Sequence, residues 1–299
     1  MIPVLFEIGG IRIYSFGVMM GLSFLIANYL FVKEMRRRGV SEAIAGTVTL
    51  IALIGGVIGA KLFSLLENWD QFIADPVGEA FSASGLTFYG GLIVAIVAIY
   101  LYVRSKHIPF LRVADAASPA LILAYGIGRI GCQLSGDGDY GIPSKLPWAM
   151  TYPQGTVPTN GYLKNSNHTV LTDLGRLYQE MYGSPSPEQV PVHPAPVYET
   201  LAAIAIFAFL WFFLRKRGMP LGKMFAIYLI LAGVERLLVE FIRLNPLYLG
   251  LSQAQWISIG MIALGSFMIY RTRSAAPDTL PAPEKTGRRA RAGSPRPAR

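Results

Sequence analysis

Residues 43–66 read AIAGTVTLIALIGGVIGAKLFSLL, a run of 24 positions with one charge, Lys61. A helix rises about 1.5 Å per residue and the hydrocarbon layer of a bilayer is about 30 Å thick, so about 20 apolar residues are enough to cross it. Similar stretches occur on both sides of this one, at Tyr14–Val32, Leu86–Val103, Ala116–Leu134, Pro196–Leu214, Leu221–Ile242 and Ala254–Tyr270. With Ala43–Leu66 they make seven. They are too long and too evenly apolar for barrel strands, which alternate over about ten residues. The expected fold is an all-α integral membrane protein with seven transmembrane helices.

Composition agrees. Of 299 residues, 53% are hydrophobic and 15% charged, and the mean hydropathy is +0.43. A soluble domain carries about 25% charged residues, so an ordinary cytosolic enzyme is excluded, as are a disordered chain and a collagen. One cysteine permits no internal disulfide framework, and three histidines beside it leave little for a structural zinc site. The net charge of +9 suggests nucleic acid until it is located: residues 271–299 hold eight Arg/Lys and two acids, so +6 of it lies there. No nucleic-acid partner is expected.

Basic residues set the orientation. Lys33, Arg36, Arg37 and Arg38 follow the first span; Arg104, Lys106 and Arg112 the third; Arg215, Lys216 and Arg217 the fifth; Arg271 and Arg273 the seventh. Threading seven spans in order puts all four clusters on one side, which is then cytoplasmic. The N-terminus is expected outside and the C-terminus in the cytoplasm. The first span is not a signal peptide, because basic residues follow it and no small-residue cleavage site is evident. Residues 1–270 form the membrane domain. Within it, 135–194 is too long for a passive loop and reads as a small extracytoplasmic head, with a short helix at Leu171–Tyr182 and a glycosylation-type sequon at Asn167. Residues 271–299 read as a disordered basic cytoplasmic tail.

Charges inside a bilayer are expensive and point to function. Lys61 lies in the second span, where snorkelling competes with a role. Asp115 opens the fourth span and reads as a helix cap. Arg129 sits in Gly126-Ile-Gly128-Arg129-Ile-Gly131-Cys132, followed by the turn Gly136-Asp137-Gly138-Asp139-Tyr140-Gly141. One reading is an anion site; the other is an Arg–Asp salt bridge closing that turn. Arg236, Glu240 and Arg243 share a helix face, and Glu199 begins the fifth span. All lie toward one leaflet. Three arginines at one depth suit a phosphate-bearing headgroup, because guanidinium groups fork onto its oxygens and stay charged. In that reading Glu240 neutralises one arginine and leaves the others free for an anion; a self-satisfied ion network pinning the helices is the alternative.

Gly128-Arg129-Ile-Gly131-Cys132 with Gly136-Asp137 resembles the signature of the prolipoprotein diacylglyceryl transferases. The likeness covers nearly all of residues 1–270. Ile11-Arg12-Ile13-Tyr14 is similar to the family's opening, and Thr87 through Ile93, with Tyr89-Gly90-Gly91, to its histidine–glycine–glycine segment. Ala114-Asp115 with Pro119, Pro147-Trp148 with Tyr152-Pro153, His193-Pro194 with Tyr198-Glu199, Arg236 through Glu240 to Arg243, and Leu251-Ser252 with Gln255 follow in the family's order. The resemblance implies a multi-pass enzyme of the bacterial inner (cytoplasmic) membrane. Its partners would be phosphatidylglycerol and the signal peptide of a prolipoprotein. It would move the diacylglyceryl group to the lipobox cysteine thiol and release glycerol-1-phosphate, with no cofactor and no metal.

Carried over by position, Arg129, Arg236, Tyr89 and Glu199 would be catalytic. Arg129 with Gly90, Gly91, Gly131, Cys132, Asp137, Tyr198, Glu240 and Arg243 would bind substrate, the glycines making room for the headgroup. Two positions depart from the family pattern. Tyr89 stands where well-known members have a histidine, and Cys132 replaces the signature asparagine. Tyrosine, with a reference pKa of about 10, is a poor base near neutrality, although it can donate a hydrogen bond to phosphate; the bland reading is an interfacial aromatic. Cys132 reads as a small buried residue or a reactive thiol. The general base is thereby unassigned. The rival function is a diverged phospholipid-binding protein or transporter without transferase activity, against which the lack of an internal repeat speaks.

Overall fold

The computed structural model of the chain describes residues 1–82, 87–160 and 174–278. Strands β1 (Val4–Ile8) and β2 (Ile11–Tyr14) pair antiparallel and lead directly into helix α1 (Ser15–Arg37). Then come α2 (Glu42–Glu67), the short α3 (Trp69–Ala74) and α4 (Pro76–Phe81), α5 (Phe88–Ser105) and α6 (Phe110–Ser135). Beyond an irregular segment and α7 (Leu174–Tyr182), α8 (Ala195–Ala208) runs on into a wider turn, Phe209–Leu214. Just past it the Arg215 N–H donates to the Leu210 carbonyl at 2.9 Å. Helix α9 (Lys223–Glu240), a small pair β3 (Leu247–Tyr248) and β4 (Leu251–Ser252), and α10 (Gln253–Thr272) complete the described chain.

Among the described residues five helices are long and apolar enough to cross a membrane: α1, α2, α5, α6, and α8 with its wide turn. They turn apolar side chains outward. Leu25, Val57, Ile58, Leu101, Leu201 and Phe213 are each more than half exposed, a continuous apolar surface that water does not tolerate and lipid does. The chain is a multi-pass membrane protein. The other two expected spans are also helices at the expected places, but less apolar. Helix α9 carries Lys223, Glu235, Arg236 and Glu240, and α10 opens on Gln253 and Gln255.

Helix α6 lies at the centre, packed against α1, α8 and α9, while α2 pairs with α5 and α9 with α10. The α2–α5 crossing is a glycine contact. A Cβ on Gly59 would sit 2.5 Å from the Gly90 carbonyl oxygen, and one on Gly91 would sit 2.6 Å from that of Gly56. Without side chains the two backbones approach closely, which drives helix association in lipid.

One end of the bundle is tied by Glu34 of α1. Its carboxylate, 1% exposed, meets Arg37 at 2.5 Å, Arg38 at 3.2 Å and Arg215 at 2.6 Å. Nearby, Asp115 accepts the N–H groups of Gly222 and Phe225 at 2.8 Å each. Asp115 is thus a helix cap, but not of its own helix. Helix α6 begins six residues earlier than hydropathy suggests, so Asp115 lies inside it and caps α9. Lys61 does not reach for water alone: its Nζ donates to the Ser82 carbonyl at 3.1 Å and hydroxyl at 2.8 Å.

The segment between α6 and α8 has its own small core, where Tyr140 stacks on Tyr152 with centroids 4.0 Å apart, against Leu174, Tyr178, Val190 and Val192. Of the helix expected at Leu171–Tyr182, Leu174–Tyr182 is helical, and residues 171–173 lie outside the described residues. The sequon at Asn167 and residues 279–299 of the expected tail lie outside the described residues. Packing generates one prediction. Gly59→Val should destabilise the protein by about 1–3 kcal/mol through overpacking, read as a lower thermal midpoint in detergent. Gly46→Ala, whose added carbon meets nothing within 4 Å, should leave the midpoint unchanged or raise it.

Candidate functional site

The opposite end of the bundle gathers the last turns of α6, the loop after it, the start of α8 and the end of α9. Small residues bring them close. A Cβ on Gly126 would lie 2.9 Å from that of Ala203 on α8, and one on Gly131 would lie 3.1 Å from that of Met19 on α1. The loop is stitched to the end of α9 by the Ile142 N–H, which donates to the Ile242 carbonyl at 2.7 Å.

Glu199 stands where these elements meet and has 0% exposure. Its Oε1 accepts from Arg236 Nη1 at 2.8 Å, from the Tyr125 hydroxyl at 2.9 Å and from Arg243 Nη1 at 3.4 Å. Its Oε2 is 3.1 Å from Arg129 Nε. One carboxylate therefore meets three arginines from two helices and a loop. Glu240 pairs with Arg236 Nη2 at 2.7 Å and lies 3.9 Å from Arg243 Nε, while its other oxygen accepts from Asn245 at 2.6 Å and Ser252 at 2.7 Å. Asp139 closes the arrangement, with one oxygen on Arg129 and the other on Arg243. Burial disfavours its charge, but the guanidinium groups of Arg243 and Arg129 outweigh that and hold its carboxyl below the ordinary carboxylate range. The Arg129 guanidinium also lies over the Tyr125 ring, 5.1 Å from its centroid.

Arg129, Arg236, Arg243, Glu199 and Glu240 are thus brought together. The arginines are not left free, however. Each has at least two carboxylate oxygens beside it, because the α6–α8 loop and α8 contribute acids that a helix-face argument on α9 does not count. The Arg–Asp pair closing the turn is present alongside the wider cluster.

Other sequence-derived candidates lie differently. Cys132 is buried, with Sγ 3.6 Å from Arg129 Nη1. Asp137 turns inward on its own loop, accepting the Asp139 N–H at 3.3 Å, and makes no ion pair with the arginines. Tyr198 binds the head: its hydroxyl accepts from Trp148 Nε1 at 2.8 Å and is 3.2 Å from His193 Nδ1. The space expected beside the glycines is filled by protein. Gly90 abuts Phe63 and Gly59, Gly91 abuts Gly56 and Ala60, and Gly131 abuts Met19 and Phe16. Tyr89 is partly exposed on α5, edge-on to Phe88, and no hydrogen bond or ion pair ties it to the cluster. Cys132, Asp137 and Asp139 each bring one possible metal-ligand atom within 4.8 Å of the others, but both Asp139 oxygens are already engaged by cations.

Tyr125 and Glu235 escape a sequence reading focused on motif positions, and Asp139 enters it only as one of two acids able to pair with Arg129 in the turn. Asp139 follows the motif acid by two residues. Tyr125 is one helical turn before Arg129, a spacing that puts a ring under a guanidinium. Glu235 adjoins Arg236, is buried, and has one oxygen without a hydrogen-bond donor.

A preorganised cluster of guanidinium groups at the end of a membrane bundle can hold a phosphate oxyanion and stabilise charge developing on it. Comparison with known proteins identifies the family. A family model described as prolipoprotein diacylglyceryl transferase matches residues 3–271. A phosphatidylglycerol–prolipoprotein diacylglyceryl transferase of Clostridium tetani is 32% identical over 268 residues, spanning 89% of this chain and 96% of the relative. Proteins of the same name from Dehalococcoides mccartyi and Leptospira interrogans are 31% identical (91% of this chain, 94% of the relative) and 29% identical (86% and 88%). With a match that runs from the first strand to the last helix, the chain belongs to the prolipoprotein diacylglyceryl transferase family.

Proposed function

We propose that this chain transfers the diacylglyceryl group of phosphatidylglycerol to the lipobox cysteine thiol of prolipoproteins and releases glycerol-1-phosphate, the first step of bacterial lipoprotein maturation. The observation that carries the reading is the convergence of Arg129, Arg236 and Arg243 on Glu199, in a chain of this family. The substrate sulfur, reactive as thiolate, forms a bond to the terminal glycerol carbon of the diacylglyceryl group. The bond from that carbon to the phosphate oxygen breaks, and the oxygen keeps the electron pair. The thiol proton goes to solvent or to the departing phosphate monoester, whose second pKa is about 6. Arg129 and Arg236 grip the phosphate and stabilise the charge that builds on it. Arg243 shares that load, and Glu199 and Glu240 hold the guanidinium groups in place. Tyr89 donates a hydrogen bond to the bound headgroup, and Tyr198 positions the head through Trp148.

We further read α9 and α10 as the sixth and seventh spans, with the arginine cluster toward the outer face of the inner membrane. The N-terminus is then outside and the C-terminus cytoplasmic. In support, Arg37, Arg38 and Arg215 from two separate basic clusters meet at Glu34, at the end opposite Arg129. Residues 135–194 form the extracytoplasmic head on the membrane domain of residues 1–270, and residues 271–299 the cytoplasmic tail.

Incubating a lipobox peptide with phosphatidylglycerol membranes containing the protein should give a thioether-linked diacylglyceryl peptide, seen by mass. Headgroup binding without that product would instead leave a lipid-binding protein. Arg129→Ala and Arg236→Ala should each lower product formation by about 100- to 1000-fold, the size of losing a charge-stabilising donor, with the variants still inserted in the membrane. Tyr89→Phe should slow the reaction less than either. Cysteine-accessibility labelling should modify a cysteine at Lys106 only from the cytoplasmic side and one at Lys145 only from outside; the reverse pattern overturns the orientation.

A further inference from the structure

We propose that Asp139 is a resident counter-ion that occupies the phosphate position between Arg129 and Arg243 and is displaced by the headgroup on binding. This rests on the reading of the arginine cluster as the phosphatidylglycerol site. The two Asp139 oxygens bridge two guanidinium groups, one each, the pattern that two non-bridging oxygens of a phosphate reproduce.

Position separates Asp139 from the other acids of the network. Its side chain is 34% exposed, against 0% for Glu199 and 1% for Glu240. Those two are held by neutral partners as well, Tyr125 on one and Asn245 with Ser252 on the other. Among the described residues, the Asp139 carboxylate has polar partners only in Arg129, Arg243 and the Cys132 thiol, the last at 3.9 Å. It sits on a loop rather than a helix. Gly136 and Gly138 take positive φ on one side of it. On the other, Tyr140 is fixed by stacking on Tyr152 and by donating to the Val157 carbonyl. Its carboxylate can therefore leave without moving a membrane helix.

Charge counting favours the exchange. Of the groups ion-paired with one another, Arg129, Arg236 and Arg243 face Asp139, Glu199 and Glu240, three against three. With Asp139 displaced, one positive charge of this ion-paired set loses its counter-charge, which the single negative charge of a phosphodiester restores; Glu235 and Asp137 lie nearby but form no ion pair with the three arginines. The released phosphate monoester carries about −1.5 to −2 at pH 7 and would bind more tightly than the substrate. A tethered carboxylate returning to the arginines helps to expel it.

The test uses the full-length protein in nanodiscs of phosphatidylcholine with graded phosphatidylglycerol, with glycerol-1-phosphate as the competing probe. Asp139→Asn and Asp139→Ser should lower the KM for phosphatidylglycerol by about five- to tenfold, the scale of one charge-assisted contact no longer broken on binding. They should also tighten inhibition by glycerol-1-phosphate and reduce kcat as product release slows. A purely structural role would reduce kcat with KM unchanged or raised, and that result, or failure of both variants to fold, overturns the proposal. Arg129→Gln is measured beside them. If it loses headgroup affinity while the Asp139 variants gain none, only the counter-ion is wrong; if it binds like the wild type, the site reading itself fails.

Discussion

Glu199 has no contact with solvent, yet three guanidinium groups lie around it. A lone carboxylate in that position would cost several kcal/mol in lost hydration, and only the paired cations recover it. The relation is mutual. Arg129, Arg236 and Arg243, gathered around one point, would repel one another without a shared anion. Because the arginines come from α6, α9 and the turn beyond α9, satisfying this one acid fixes those segments against α8. Removing one member of such a network costs about 3–5 kcal/mol, since it strands charge in an apolar surround.

The rest of the bundle reads as support for that arrangement. Its middle is held by close backbone contact, at Gly59 with Gly90 and at Gly126 with Ala203. Its far end is held by a second buried carboxylate, Glu34, with its own three arginines. Charge is thereby confined to the two ends, where headgroups and water lie in a membrane, and the apolar stretch between is left to lipid and to helix packing. On the proposed function, the arginines that Glu199 and Glu240 fix in this way are aimed before substrate arrives, and only the loop carboxylate of Asp139 has to move.

The helices and the gathering of the arginines at one end of the bundle are legible in the sequence because both depend on local pattern: run length, and spacing along a helix face. Pairing is not local. Arg129 with Glu199 joins residues 70 positions apart in the chain, and no helical wheel relates them. Asp115 shows the same limit. Its cap on α9 reaches across 107 positions, whereas sequence alone suggests the nearest helix start. The glycines mislead for a related reason. Gly90, Gly91 and Gly131 signal close approach, but whether to a ligand or to another helix is decided by the partner, which the sequence does not display. The sequence offers an Arg–Asp pair in that turn without saying which acid makes it, because two acids share the turn and only the backbone path through Gly138 decides which of them faces the arginines.

The wide turn at Phe209–Leu214 bears on all of this. Its Leu210-to-Arg215 hydrogen bond spans five residues instead of the usual four, and one extra residue in a turn rotates everything beyond it by about 100°. The helix that carries Glu199 inward at its start therefore reaches its other end with Arg215 swung round toward Glu34. That offset in azimuth lets a single rod serve two charge clusters at opposite ends of the bundle. A straight α-helix of the same sequence would point Arg215 about 100° away from its present direction.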